Sequence, residues 1–409
     1  MNNELKEKMN NLNKNLIIEG DLSTGKTVNI GYNLFENSIK NEDNIFVLDS
    51  KKEYINKYQK DLKDHGYRTI VINIKDIEKT EFWNPLELAK KSFDKKNEDI
   101  ALEYIKAITD NVFFEPNSPD PFWAMTANDF STGLIMSLLE NGKDNQINLD
   151  SLSNMLEYGA INNDKNKYLT EYFNTLDKDS TAAMFLSATI TAPQETRGSI
   201  TTTARQKFMP LIGYKSLNKI LSKNTFEFSD LINYKTAILF IGDDKYSNTN
   251  KLSAIFITQL YTFLTNSKVK RKFNFIIDNF DTIKEFPNLD NLLSNSLSNN
   301  ILMNIITRDI EILYDNHGTY LNKLANIITV NDDIIIYNDT KYDITKIENN
   351  INDEYNYTSN KITENEIFNI SEYVENNVDM QEKRKLELED LIKTVDKKIE
   401  LLKNLNNDL

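Results

Sequence analysis

Apolar residues fall along this chain in two rhythms. Short unbroken branched-aliphatic runs alternate with stretches whose apolar positions recur every three or four residues. Leu16 to Ile18, Ile45 to Asp49 and Thr69 to Ile74 read as buried strands, the second ending in an acid. Between them, Val28 to Ile39 and Ser50 to Gly66 carry helical spacing, the second stopped by Gly66. Strand, helix, strand, helix, strand predicts a parallel sheet joined by crossover helices. After Asn84-Pro85-Leu86 the pattern changes. Helical periodicity dominates from about Phe93 to Leu221, with Pro116, Pro119 and Pro121 breaking one connection and SITTTARQ readable as a helix start or a loop. Strands resume at Thr236 to Gly242, Phe273 to Asp278 and Ile301 to Thr307, with short candidates at Ile327 to Val330 and Asp333 to Tyr337. The reading is an α/β chain whose mainly parallel central sheet is interrupted by an all-α insertion. Its expected divisions are 11–92 and 222–345 for the two parts of a nucleotide-binding domain, 93–221 for the insertion, and 346–409 for an acidic, Asn-rich tail with a terminal helix. In that tail Leu388, Ile392, Val395, Ile399 and Leu402 form a short helical seam, fit either to pack on its own domain or to self-associate.

The chemistry sits where the first strand meets the first helix. Gly20-Asp21-Leu22-Ser23-Thr24-Gly25-Lys26-Thr27 has the spacing G-x-x-x-x-G-K-[ST]. Glycines let the backbone curl until successive N–H groups point at phosphate oxygens. Lys26 would reach the β- and γ-phosphates, and the Thr27 hydroxyl would bind Mg²⁺. The helix beginning there adds its positive dipole end. Such a site, for ATP and Mg²⁺, needs an acid at the end of a neighbouring strand. Asp278, closing FNFIID, fits, and Asp49, closing IFVLD, competes with it. Either acid could instead be a helix cap.

Composition narrows the rest. The 409 residues are 40 % hydrophobic and 27 % charged, an ordinary globular mixture long enough for two domains. Cysteine is absent and only His65 and His317 occur, so thiolate and imidazole metal sites are disfavoured. A net charge of −14 disfavours general coating of nucleic acid, and a DNA contact would need a local basic patch or a channel formed on assembly. Lys268, Lys270, Arg271 and Lys272 are the clearest such cluster, more readily read as a solvated turn before a strand. Arginines are confined to Arg68, Arg197, Arg205, Arg271, Arg308 and Arg384, which limits what could stabilise a phosphoryl-transfer transition state. No apolar run approaches the roughly 20 residues of a membrane helix, and no secretory signal is visible, so a cytoplasmic placement is expected.

Several segments together resemble one family. NKNLIIEGDLSTGKT (Asn13 to Thr27), VLDSKKE (Val47 to Glu53), GYRTIVINI followed by FWNPLE (Gly66 to Glu87), DPFWAMTANDF (Asp120 to Phe130), FNFIIDNF, and TRDIEILYDNHG (Thr307 to Gly318) stand in the order and spacing of the type IV coupling proteins. These are the TraG/TraD-like ATPases of conjugative DNA transfer, and the likeness is greatest to Gram-positive mobile-element forms. It covers about residues 11 to 340. Ser50 stands where proline is usual. The resemblance implies a RecA-like motor domain with a helical insertion, and a homo-oligomer that is a hexameric ring in many members. It further implies single-stranded DNA or a relaxase–DNA complex as cargo, and docking to a membrane secretion channel. Phe122 and Trp123 read as core anchors of the helical insertion.

Four departures matter. Asp278 is followed by Asn279, where the family has the glutamate that polarises water, and an amide cannot accept a proton. Arg308 stands where a glutamine sensor of the γ-phosphate is usual, and could supply positive charge in cis. The segment Asn291 to Asn304 lacks the arginine that members offer to a neighbouring subunit. The first strand begins within twenty residues of Met1, without the family's usual N-terminal membrane segment, so contact with the inner face of a plasma membrane would need a partner. The expectation is an ATP-binding coupling protein, with a hydrolysis-deficient nucleotide-binding scaffold or adaptor as the alternative. A DNA-packaging or segregation ATPase of the same superfamily would share the core motifs but not the D-P-F-W insertion.

Overall fold

A computed structural model describes residues 3–10, 13–160, 165–242, 250–283, 286–331, 334–344 and 366–377, with the single positions Lys385 and Lys393. The seam from Leu388 to Leu402 and most of the acidic tail lie outside the described residues. The strands are β1 (Leu16–Glu19), β2 (Asn44–Leu48), β3 (Arg68–Asn73), β4 (Thr236–Ile241), β5 (Phe273–Ile277), β6 (Ile301–Ile306), β7 (Asn326–Val330), β8 (Ile334–Tyr337) and β9 (Thr340–Asp343). They form one nine-stranded sheet in the order β3-β4-β2-β5-β6-β1-β7-β8-β9. All pairings from β3 to β7 are parallel, and the two at β7–β8 and β8–β9 are antiparallel. The strands expected from apolar runs are present to within a residue or two at their ends. β9 is an addition. Its sequence TKYD buries one residue, Tyr342, and so leaves no apolar run to read.

β2, β4 and β5 are buried along their whole length, which is why they read as unbroken apolar runs rather than alternating ones. One sheet face is covered by α1 (Asn3–Asn10), α2 (Tyr32–Lys40) and α3 (Glu53–Asp64). Leu16, Ile18, Ile45, Val47 and Val71 meet Phe35, Tyr54 and Tyr58 there. α3 ends where Gly66 takes φ +71, the left-handed conformation glycine enters at least cost.

The opposite face carries the helices between β3 and β4. These are α4 (Glu87–Asp94), α5 (Glu98–Phe113), α6 (Phe122–Asn141), α7 (Leu149–Ala160), α8 (Lys165–Thr175), α9 (Thr181–Thr191), α10 (Gln194–Ile212), α11 (Lys215–Ile220) and α12 (Asp230–Asn233). After β4 come α13 (Asn250–Asn266), α14 (Leu289–Ser296), α15 (Glu311–His317) and α16 (Leu321–Leu324). SITTTARQ lies inside α10, where Ile200, Ala204, Phe208 and Leu211 repeat at helical spacing and are buried. The apolar cluster on this face runs without a break from Phe46 and Ile70 of the sheet through α13 and α5 to Leu134 and Leu152. Residues 370–377 are helical, and Phe368, Ile370 and Val374 join this cluster, with the Phe368 amide donating to Ser151 Oγ at 2.8 Å.

One expectation fails here. Phe122 and Trp123 are not core anchors: they are 49 % and 37 % exposed. The buried face of α6 begins at Ala124 and continues through Ala127, Phe130 and Leu134, so the first two residues of the helix project past it. Their rings contact each other edge to face at 5.1 Å.

Candidate nucleotide site

Strand order builds the site. β6 lies between β1 and β5. The residues that leave the carboxyl ends of these three adjacent strands therefore meet beyond those ends, the place where open α/β sheets bind ligands. β1 feeds Gly20 to Thr27, β5 feeds Asp278 and β6 feeds Thr307 and Arg308. The Thr307 amide donates to the Ile18 carbonyl at 2.8 Å, which ties the end of β6 to β1.

Within the loop, Gly20 approaches the β7 backbone so closely that a Cβ would stand 2.2 Å from the Val330 carbonyl oxygen. No side chain fits there. Ser23 and Gly25 have φ +72 and +76, and these left-handed residues reverse the chain twice. The Thr24 hydroxyl donates to the Asp21 carbonyl at 3.0 Å, while Leu22 is exposed at the loop's outer rim. Lys26 folds back over this curve. Its ammonium donates to the Asp21 carbonyl at 2.7 Å and to the Gly20 carbonyl. Burial lowers its pKa, against the fields of Asp278, Asp281 and Asp21 and with that of Arg308. All four charges therefore lie close enough to act on one lysine.

Thr27 opens the next helix as a single π-turn over Thr27–Gly31 that continues into α2. Its hydroxyl donates to Asp278 Oδ2 at 2.8 Å across 251 positions of sequence. The same Oδ2 accepts from Tyr54 Oη at 3.1 Å, and Oδ1 accepts the Asn279 amide at 2.9 Å. Burial nevertheless pushes the Asp278 carboxyl up to about 6. Thus two of the acid's three donors are side chains from α3 and from the helix after the loop. Gly31 makes room for the phenol: a Cβ there would stand 2.2 Å from Tyr54 Oη.

Asp49, the competing acid, goes elsewhere. Its oxygens accept the backbone N–H groups of Glu53, Tyr54 and Ile55 at 2.7, 3.1 and 3.0 Å. It caps α3, satisfying donors the first helical turn leaves free. Its full burial pushes its carboxyl up to about 7.

Asn279 follows Asp278 with φ +58. Its carbonyl accepts the amide of Thr282 at 3.0 Å and its hydroxyl at 2.9 Å, so the turn is closed by two bonds. Asparagine is among the few residues other than glycine that enter this conformation readily. Arg308, from the end of β6, pairs with Asp281 rather than with the loop. Its Nε donates to Asp281 Oδ2 at 3.0 Å. Of the basic cluster, Arg271 donates to the Glu42 carbonyl at 2.7 Å and Lys272 to Asn13 at 3.2 Å, contacts that fix the approach to β5. Tyr54, Gly31 and Asp281 were not visible as site residues in the sequence. A second acid three residues after Asp278 was the one signal that could have pointed to Asp281.

Two features of these residues fit a magnesium nucleotide: a loop whose backbone curls through left-handed residues at Ser23 and Gly25, and a hydroxyl facing a buried acid. Thr27 and Asp278 would hold the ion, which would neutralise charge on the phosphates.

A sequence profile described as "Type IV secretory system Conjugative DNA transfer" matches residues 23–404. The chain belongs to that conjugative DNA-transfer family. No curated relative matches it in sequence. Among solved structures it is similar to the bacterial conjugative coupling protein TrwBdeltaN70 in complex with sulphate, at 14 % identity and a TM-score of 0.55, covering 78 % of this chain and 71 % of that one. The plasmid coupling protein TrwB in complex with the non-hydrolysable ATP analogue ADPNP matches at 13 % identity and 0.57, covering 77 % and 70 %. The same protein in complex with ADP and Mg²⁺ gives the same values. The family member described here thus has the RecA-like coupling-protein fold expected from its motifs. Among the described residues no helix is long and apolar enough to cross a membrane.

Proposed function

We propose that this chain binds ATP with Mg²⁺ on Gly20 to Thr27 and couples nucleotide binding to the transfer of conjugative DNA. Lys26 would exchange the Gly20 and Asp21 carbonyls for the β- and γ-phosphates. The loop N–H groups would take the remaining phosphate oxygens. Thr27 and Asp278 would share the magnesium shell. The observation that carries this reading is the 2.8 Å bond from Thr27 to Asp278, which brings together the two residues proposed to share the ion. The nucleotide-bound state of a similarly folded coupling protein supports it. The cargo would be single-stranded DNA or a relaxase–DNA complex, handed to the membrane secretion channel by a homo-oligomer, in many relatives a hexamer. In that scheme residues 93–221 form a helical domain that faces cargo.

Asn279 favours a second reading, a nucleotide-gated scaffold that recruits cargo with little or no hydrolysis. Without the glutamate, position 279 offers no carboxylate to orient water. Arg308 is the remaining candidate for stabilising charge in cis. Purified full-length chain, assayed for ATP binding and turnover with and without single-stranded DNA, separates the two readings. DNA-stimulated turnover lost in Lys26→Ala supports the motor. Binding without turnover in the parent chain supports the scaffold. Binding that survives unchanged in Lys26→Ala overturns both.

A further inference from the structure

Asp281 has no part in the phosphate loop or the magnesium set, yet it is built into the site. Its side chain is only 3 % exposed. Its two oxygens receive the Thr307 hydroxyl at 2.6 Å, the Arg308 amide at 3.0 and 3.1 Å, and Arg308 Nε at 3.0 Å. Every one of these donors lies at the end of β6, the strand between the loop strand and the acid strand. The result is a clamp. The backbone bond fixes where Arg308 leaves the sheet, and the Nε bond fixes the plane of its guanidinium.

The clamp uses only the inner edge of that plane. Among the described residues the two terminal nitrogens of Arg308 have no hydrogen-bond or ion-pair partner, and the side chain is 49 % exposed. The guanidinium is close enough to oppose the charge of Lys26. An arginine fork can hold one carboxylate through Nε and a second anion through its terminal nitrogens. We propose that Asp281 is a positioning residue that presents Arg308 to the terminal phosphate of a nucleoside triphosphate, so that the pair distinguishes triphosphate from diphosphate. This rests on the nucleotide reading above and adds to it a residue and a specificity.

The unclamped alternative is costly in another way. A free arginine would have to order its rotamers on binding, and an uncompensated carboxylate at 3 % exposure would be left behind. With Asp281 in place both are settled before ligand arrives, so contact with the terminal phosphate gains affinity by preorganisation.

The test uses full-length chain and two probes with Mg²⁺, the non-hydrolysable analogue ADPNP and ADP, titrated by calorimetry. The parent is expected to favour ADPNP. Asp281→Asn, close in shape, should lower the ADPNP-to-ADP affinity ratio by roughly tenfold, the scale of one charge-assisted hydrogen bond, with ADP binding little changed. In an Arg308→Ala background the same substitution should have no further effect on the ratio, because Asp281 acts through Arg308. A ratio unmoved by Asp281→Asn, equal losses for both nucleotides, or additivity in the double variant would each overturn the proposal. If Asp281→Asn does not fold, Arg308→Lys, which keeps the charge and lacks the Nε–H that Asp281 holds, must lower the ratio. Lys26→Ala separates the two levels: if it fails to weaken either nucleotide, the site itself is wrong, whereas if it abolishes both while the ratio ignores Asp281, only the positioning role is lost.

Discussion

Tyr54, in the first turn of α3, donates its phenol proton to Asp278, a residue 224 positions later at the end of β5. It reaches there because position 31 has no side chain. Gly31→Ala should push the phenol away and deprive a buried carboxylate of a donor, costing about 1–3 kcal/mol in chemical denaturation. Tyr54→Phe removes the bond without the clash and should cost about 1 kcal/mol. It should also move the Asp278 titration to higher pH, since that bond favours the charged form. Equal stability of both variants and the parent would refute the linkage.

Asp278 and Asp49 titrate near 6 and 7 in the folded chain, above the roughly 4 of an unfolded aspartate. Between about pH 4 and 7 the native state thus holds protons that the unfolded state has released. These two groups remove stability as pH rises through that window, opposite to a salt-bridged acid. Asp278→Asn should gain stability over the parent most at pH 8 and least at pH 4, by urea unfolding. Magnesium needs the ionised acid, so Mg²⁺-dependent nucleotide affinity should fall as pH drops below 6, approaching tenfold per unit.

Asn279→Glu is the natural attempt to restore a water-polarising group. At φ +58 a glutamate pays the left-handed penalty of about 1–2 kcal/mol. Asn279→Gly should be as stable as the parent or more so. Guanidinium unfolding of both variants checks this, and any turnover measured for Asn279→Glu must be read beside its stability.

Asp49→Ala should destabilise the chain by about 1–2 kcal/mol through loss of three bonds to the first turn of α3. Asp49→Asn keeps an acceptor and sheds a buried charge, so it should be near neutral or stabilising at pH 8. Neither should change how nucleotide affinity depends on magnesium concentration. A lost magnesium response in Asp49→Asn would reassign the metal acid.

Much of this was legible along the chain. The unbroken runs at Ile45 to Leu48 and Thr236 to Ile241 announced doubly covered parallel strands, because a strand between two layers has no polar face to advertise it. The loop from Gly20 to Thr27 was legible because backbone curl and phosphate chemistry both depend on local spacing. Local pattern could not decide between Asp49 and Asp278, since both close apolar runs. Their contacts differ: Asp49 caps the helix that follows it, while Asp278 faces Thr27. Local pattern also went astray at the start of α6. It misjudged Phe122 and Trp123, because which side of a helix start is covered depends on what packs beside it. Tyr54, Gly31 and the aim of Arg308 had no sequence signature at all, and Asp281 had only its place three residues after Asp278. Their roles arise from contacts between segments tens to hundreds of residues apart, and sequence periodicity carries information only about neighbours within a turn or a pleat.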